Sequence, residues 1–120
     1  MKATEVIALA KKGKEIAERE GLKHIVGSFF YPQQGCCFLG LVAVGIDGHL
    51  RNLEDRRLFG SSSIDGRYRL GLNSDFVDRV VTLNDSEIEL AAVTGVIVLR
   101  TFDQICEEIE KEFNGNDVSL

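Results

Sequence analysis

The chain has 120 residues, 44% of them hydrophobic and 28% charged, which is the size and composition of one soluble globular domain and excludes a fibrous or disordered chain. A chain of this length buries about 65% of the surface it exposes when unfolded, enough for a core without metal or disulfide staples. Fourteen basic against nineteen acidic residues leave a net charge of -5, the wrong sign for the footprint of a direct nucleic-acid binder.

The first fourteen residues, MKATEVIALAKKGK, interrupt their apolar positions with Glu5, Lys11, Lys12 and Lys14, unlike a secretory signal. From Thr4 to Glu20 the apolar residues Val6, Ile7, Leu9, Ala10, Ile16 and Ala17 recur at helical spacing. Gly21 follows as the residue that most easily turns left-handed, so the pattern predicts an amphipathic helix over 4–20.

Ile25, Val26, Phe29, Phe30 and Tyr31 then predict an extended segment over 24–31, entering a loop at Pro32. The run Cys36 to Ile46 is nearly all apolar. Its eleven residues fall short of the ~20 that span a membrane, and periodicity alone leaves strand and helix both open.

Residues 51–69 are polar and arginine-rich, with Arg51, Arg56, Arg57, Arg67 and Arg69 against Glu54, Asp55 and Asp65. Asp65-Gly66 before alternating Tyr68, Leu70 and Leu72 is a hairpin signal, giving an extended segment over 64–72. Ser74 is placed to cap a helix over 74–84 whose inward stripe is Phe76, Val77, Val80 and Val81. A buried strand is expected over 93–99. Thr101 and Gln104 have capping-box spacing ahead of a helix over 101–113 with an inner stripe of Phe102, Ile105, Cys106, Ile109 and Phe113. Its outer face carries Asp103, Glu107, Glu108, Glu110, Lys111 and Glu112. Asn114 and Gly115 stop it, and 114–120 is expected to fray.

Together these elements predict a mainly helical α+β fold, one domain over 1–120 with about four helices and a small β element. The apolar segments 36–46 and 88–99 exceed what a peripheral hairpin needs, so each belongs either to a buried core or to an oligomer interface, such as that of a homodimer.

Three cysteines without Cys-x-x-Cys spacing argue for buried, reduced thiols in a cytoplasmic setting rather than a disulfide framework. Cys36 and Cys37 follow a Gly loop, where the positive end of a helix would stabilise a thiolate. Gln34-Gly35-Cys36 is similar to the Gln-Gly-x-Cys order of papain-like hydrolases, although those enzymes place their histidine well downstream. A permuted constellation of Cys37, His24 and Asn84 or Asp85 is a candidate for cysteine-dependent catalysis. His24 and His49 are the only histidines and lack neighbouring ligands, so no metal or cofactor is expected. The five arginines beside the Gly60-Ser61-Ser62-Ser63 turn are candidates for a nucleotide or phosphate ligand, without a Walker or dinucleotide motif beside them.

Cys37-Phe-Leu-Gly40 opening an apolar helix, Asn84-Asp85 closing another, and Thr101-Phe102 with Ile105 and Ile109 in a last helix resemble small uncharacterised proteins of bacteria and their phages. The resemblance covers about a third of the chain. It implies that 37–46 is helical within a mainly helical fold, and it lends no activity. The sequence thus favours a small acidic, non-catalytic accessory or inhibitor protein, phage-related, that binds a protein partner through Glu107, Glu108, Glu110 and Glu112. Behind it stand an anion-binding protein using the arginines and a cysteine-dependent hydrolase.

Overall fold

A computed structural model describes residues 1–26, 30–31, 34–50, 70–86 and 98–120. Among the described residues four helices carry the fold: α1 (Ala3–Arg19), α2 (Phe38–Asp47), α3 (Ser74–Asp85) and α4 (Phe102–Phe113). Three two-residue strands, β1 (Lys23–His24), β2 (Phe30–Tyr31) and β3 (Gly35–Cys36), form a sheet in the order β1-β3-β2. β1 lies parallel to β3, with His24 opposite Cys36, and β2 lies antiparallel to it. The architecture is mainly helical α+β.

The ambiguous apolar run divides: Cys36 ends β3, Cys37 is the N-cap, and 38–46 lies in the helix α2. Every residue from Phe38 to Gly45 in α2 is buried, as expected of a helix that is apolar all round. This segment belongs to the core of its own chain. Gly48 ends the helix in the left-handed conformation, φ 78°.

Among the described helices the closest approach is between α1 and α2. A Cβ on Gly13 would lie 1.7 Å from the Leu41 carbonyl oxygen, and one on Gly45 would lie 1.9 Å from that of Leu9. The residue pairs 13/41 and 9/45 run in opposite directions, so the helices are antiparallel. Both glycines are needed for the backbones to meet. Val6, Ile7, Ala10 and Ala17 fill the remainder of the α1 inner face, while Leu9 and Ile16 are only partly buried.

The other two helices begin at side-chain caps. Asn73, one residue before the expected Ser74, caps α3 by accepting from the Phe76 amide at 2.8 Å. Asn73 has the extended backbone a cap requires, which leaves Ser74 as the first helical residue. Thr101 caps α4 as expected: its hydroxyl accepts from the Gln104 amide at 3.2 Å, and the Gln104 side chain accepts from the Thr101 amide at 2.8 Å. Thr101→Ala removes half of that box and is expected to lower the unfolding free energy by about 1 kcal/mol in urea titration. No measurable change would deny the cap its role.

Phe102, Ile105, Cys106 and Ile109 are buried along α4. Phe102 stacks on Phe38 at 5.4 Å between ring centroids, and Phe113 meets the edge of Phe76 at 4.9 Å.

The tail expected to fray is instead paired on both sides. Ala3 donates to the Asn116 carbonyl and Val118 to that of Met1, each at 2.9 Å. On the other side Asn73 donates to Val118 at 2.8 Å and Leu120 to Gly71 at 2.9 Å. Isolated bridges Lys2–Asp117 and Leu72–Ser119 complete this junction, with Leu72 and Val118 buried in it. The extended segment expected over 24–31 is divided between β1 and β2. Of the one expected over 64–72, residues 70–72 are described: Leu70 is helical, Gly71 is left-handed at φ 71°, and only Leu72 is extended, in a bridge to Ser119. Residues 64–69 and 93–97, on which the other extended expectations rest, lie outside the described residues.

Candidate functional site

The structure brings His24, Asn84 and Asp85 into one cluster beside Cys37 at the head of α2. Its centre is Asn84, on the last turn of α3 and 2% exposed, the one buried polar residue among those described. The Asn84 Oδ1 accepts from the Phe38 amide at 3.1 Å, and Nδ2 donates to the Ile25 carbonyl at 3.2 Å. A backbone amide can only donate and a carbonyl can only accept, so the orientation of the side-chain amide is settled.

That orientation assigns the histidine as well. His24 Nε2 lies 2.5 Å from Asn84 Oδ1 and must donate to it, leaving Nδ1 as the ring nitrogen that gains or loses the titrating proton. Nδ2 of Asn84 also donates to Asp85 Oδ1 at 2.7 Å. One side chain thereby fastens β1, the start of α2 and the end of α3.

The imidazole is half-buried, edge-on to the Phe102 ring at 5.9 Å between centroids. Burial holds its pKa below the ordinary histidine value, with the Asn84 bond and the Asp85 charge opposing the shift and the Lys14 charge adding to it. Lys14 lies over the same Phe102 ring, 5.5 Å from its centroid, and pairs with Glu18 at 2.5 Å. Lys14, Phe102 and the Ile25 carbonyl are the members of this cluster that sequence reasoning missed.

Cys37 is the N-cap residue of α2, and the amides of Gly40 and Leu39 favour its thiolate. Burial outweighs them and pushes the thiol up to about 11; Asp85 raises it further. No hydrogen bond joins the Cys37 thiol to His24 among the described residues. The arrangement therefore orients an imidazole without making it a base for the thiol. At pH 7.5 an alkylating reagent is expected to label Cys37 more than about a hundredfold more slowly than free cysteine, since thiolate is the reacting form. Labelling at the free-cysteine rate would overturn this assignment. Cys36 and Cys106 are buried, and burial likewise raises their thiols, to about 12 and about 11. All three thiols are free.

His49 lies past the far end of α2, about 15 Å along the helix from Cys37, and is exposed. Among the described residues no group of three or more His, Cys, Asp or Glu side chains is placed to hold a metal ion. No described helix is long and apolar enough to cross a membrane. Arg51, Arg56, Arg57, Arg67 and Arg69 lie outside the described residues.

The four glutamates stand on the outer side of α4, with Glu107, Glu110 and Glu112 exposed and Glu108 partly so. Glu112 is engaged within the molecule: Arg79 of α3 donates through Nε at 2.9 and 3.0 Å and through Nη2 at 2.7 Å. This paired carboxylate raises the Arg79 pKa, and Glu108 adds to the effect. Arg79 was not singled out in the sequence, because its ion pair joins two helices that lie far apart along the chain.

Comparison with known proteins finds no matching family model, no matching curated protein and no matching solved structure.

Proposed function

We propose that this is a small, non-catalytic accessory or inhibitor protein that binds a macromolecular partner through the acidic outer face of α4. The observation that carries the reading is the charge arrangement on that helix. Asp103, Glu107 and Glu110 are exposed, and the guanidinium of Arg79 engages Glu112. The partner surface that complements this face is basic, and such an encounter is strengthened at low salt.

The Cys37, His24, Asn84 and Asp85 cluster supports the reading indirectly, because its hydrogen bonds hold elements together and its thiol is kept neutral. The three free thiols fit a reducing, cytoplasmic setting.

The test is charge reversal at Glu107, Glu108 and Glu110, leaving Glu112 with Arg79. A partner recovered by crosslinking to the unmodified protein is expected to bind the triple Glu→Lys variant at least tenfold more weakly, with a flatter salt dependence. Equal binding at physiological salt would refute the proposed surface.

A further inference from the structure

We propose that His24 and Asn84 form a pH-operated latch that fastens the β1 strip to the head of α2 and the end of α3 near neutrality and releases it in acid. This device is separate from the α4 surface and stands whether or not that surface binds a partner.

The strip is short and depends on few contacts. Lys23 donates to the Gln34 carbonyl at 3.1 Å and Ile25 to that of Cys36 at 2.9 Å, which holds the strip to residues 34–36, and Leu22 just before it donates to the Ala17 carbonyl of α1 at 2.9 Å. Asn84 supplies its polar tie to α2 and α3, through the His24 Nε2–H and the Ile25 carbonyl. The same Oδ1 holds the Phe38 amide, so loosening the histidine disturbs the start of α2.

Protonation leaves the Nε2–H bond intact and adds a charge and a donor at Nδ1, for which the described residues offer no acceptor. The groups around the ring decide whether that charge is tolerated. From α1 comes the Lys14 ammonium, paired with Glu18 and near Asp103 of α4. From α3 comes the Asp85 carboxylate, which opposes Lys14. α4 contributes the uncharged Phe102 ring, and the nearby thiols of Cys36 in β3 and Cys37 before α2 are kept neutral by burial.

Burial dominates this balance, and the closed site binds the proton less tightly than open water does. The histidine's contribution to closure is therefore complete above about pH 6.5 and is lost as the pH falls toward the depressed closed-state value. Over that interval the open population rises up to ~tenfold for each unit of pH.

Amide hydrogen exchange of the whole chain between pH 7.5 and 5 reads this directly. Protection factors at Ile25 and Phe38 are expected to fall from pH 6.5 to 5.5, by up to about fivefold, while that of Val44 in the middle of α2 stays constant. In His24→Gln, whose amide can still donate to Asn84 but does not titrate, the fall is expected to vanish. The latch is refuted by constant protection at Ile25 and Phe38 in the unmodified protein, by the same fall in His24→Gln, or by a parallel fall at Val44.

Discussion

Asn84→Ala is expected to destabilise the protein by about 3–4 kcal/mol, as read from urea unfolding by linear extrapolation. The substitution strands two backbone groups at once. The Phe38 amide loses its acceptor at the head of a buried helix, and the Ile25 carbonyl loses its donor. Each unsatisfied buried group costs about 1–3 kcal/mol, and the half-buried His24 recovers part of its loss by reaching water. Asn84→Asp keeps the shape and the acceptor but places a second carboxylate beside Asp85 and removes the donor to Ile25. It is expected to be destabilised at neutral pH too. A loss below about 1 kcal/mol for Asn84→Ala would mean that the elements it joins are held by packing alone.

Gly45→Ala is expected to cost about 3 kcal/mol or more, a reversal of the ordinary preference for Ala over Gly in a helix, which is about 1 kcal/mol. The added methyl meets the Leu9 carbonyl of α1, and a backbone atom cannot turn aside as a flexible side chain would. The helices must separate, and the surrounding core loses contact with them. Gly13→Ala separates the same pair of helices from the opposite direction. Once one methyl has forced the gap, the second meets less resistance, so the double variant is expected to cost clearly less than the two single losses added together. Additive losses would show that the two contacts yield independently, and a stabilised Gly45→Ala would contradict the close approach itself. Thermal and urea unfolding of the three variants measure both points.

The helices α1, α3 and α4 were legible because their signals are local, whereas the apolar pattern of α2 suited a strand as well. Thr101 with Gln104, the stripe from Phe102 to Ile109, and Gly21 after α1 each act within a few residues of where they appear in the sequence. The cap at Asn73 rather than Ser74 differs by one position because both side chains can accept from a helical amide, and only the backbone angles decide between them. Asn84 could be read as a helix-ending residue or as part of a catalytic group. Its role as a fastener depends on Ile25 and Phe38, which approach it from distant parts of the chain. Gly13 and Gly45 carry no sequence signal of close approach, since each has meaning only against the backbone of the other helix.

For the candidate site, the residue types named Cys37, His24 and Asn84 or Asp85 as candidates, and only the fold shows how these side chains lie relative to one another. The residue types could not tell a nucleophilic thiol from a neutral one, because that depends on how thoroughly the surroundings exclude water. The acidic face of α4 was visible as a run of glutamates, whereas the engagement of Glu112 by Arg79 joins two helices and was not.

The junction of the 116–120 tail with residues 1–3 and 71–73 bears on how the molecule is made. The first turn of α1 is synthesised before the other helices, yet the Ala3 amide finds its acceptor only when Asn116 arrives, and Val118 then closes onto both Met1 and Asn73. Closure of this corner therefore waits for residues 116–118 to clear the exit tunnel and does not follow the order of the helices.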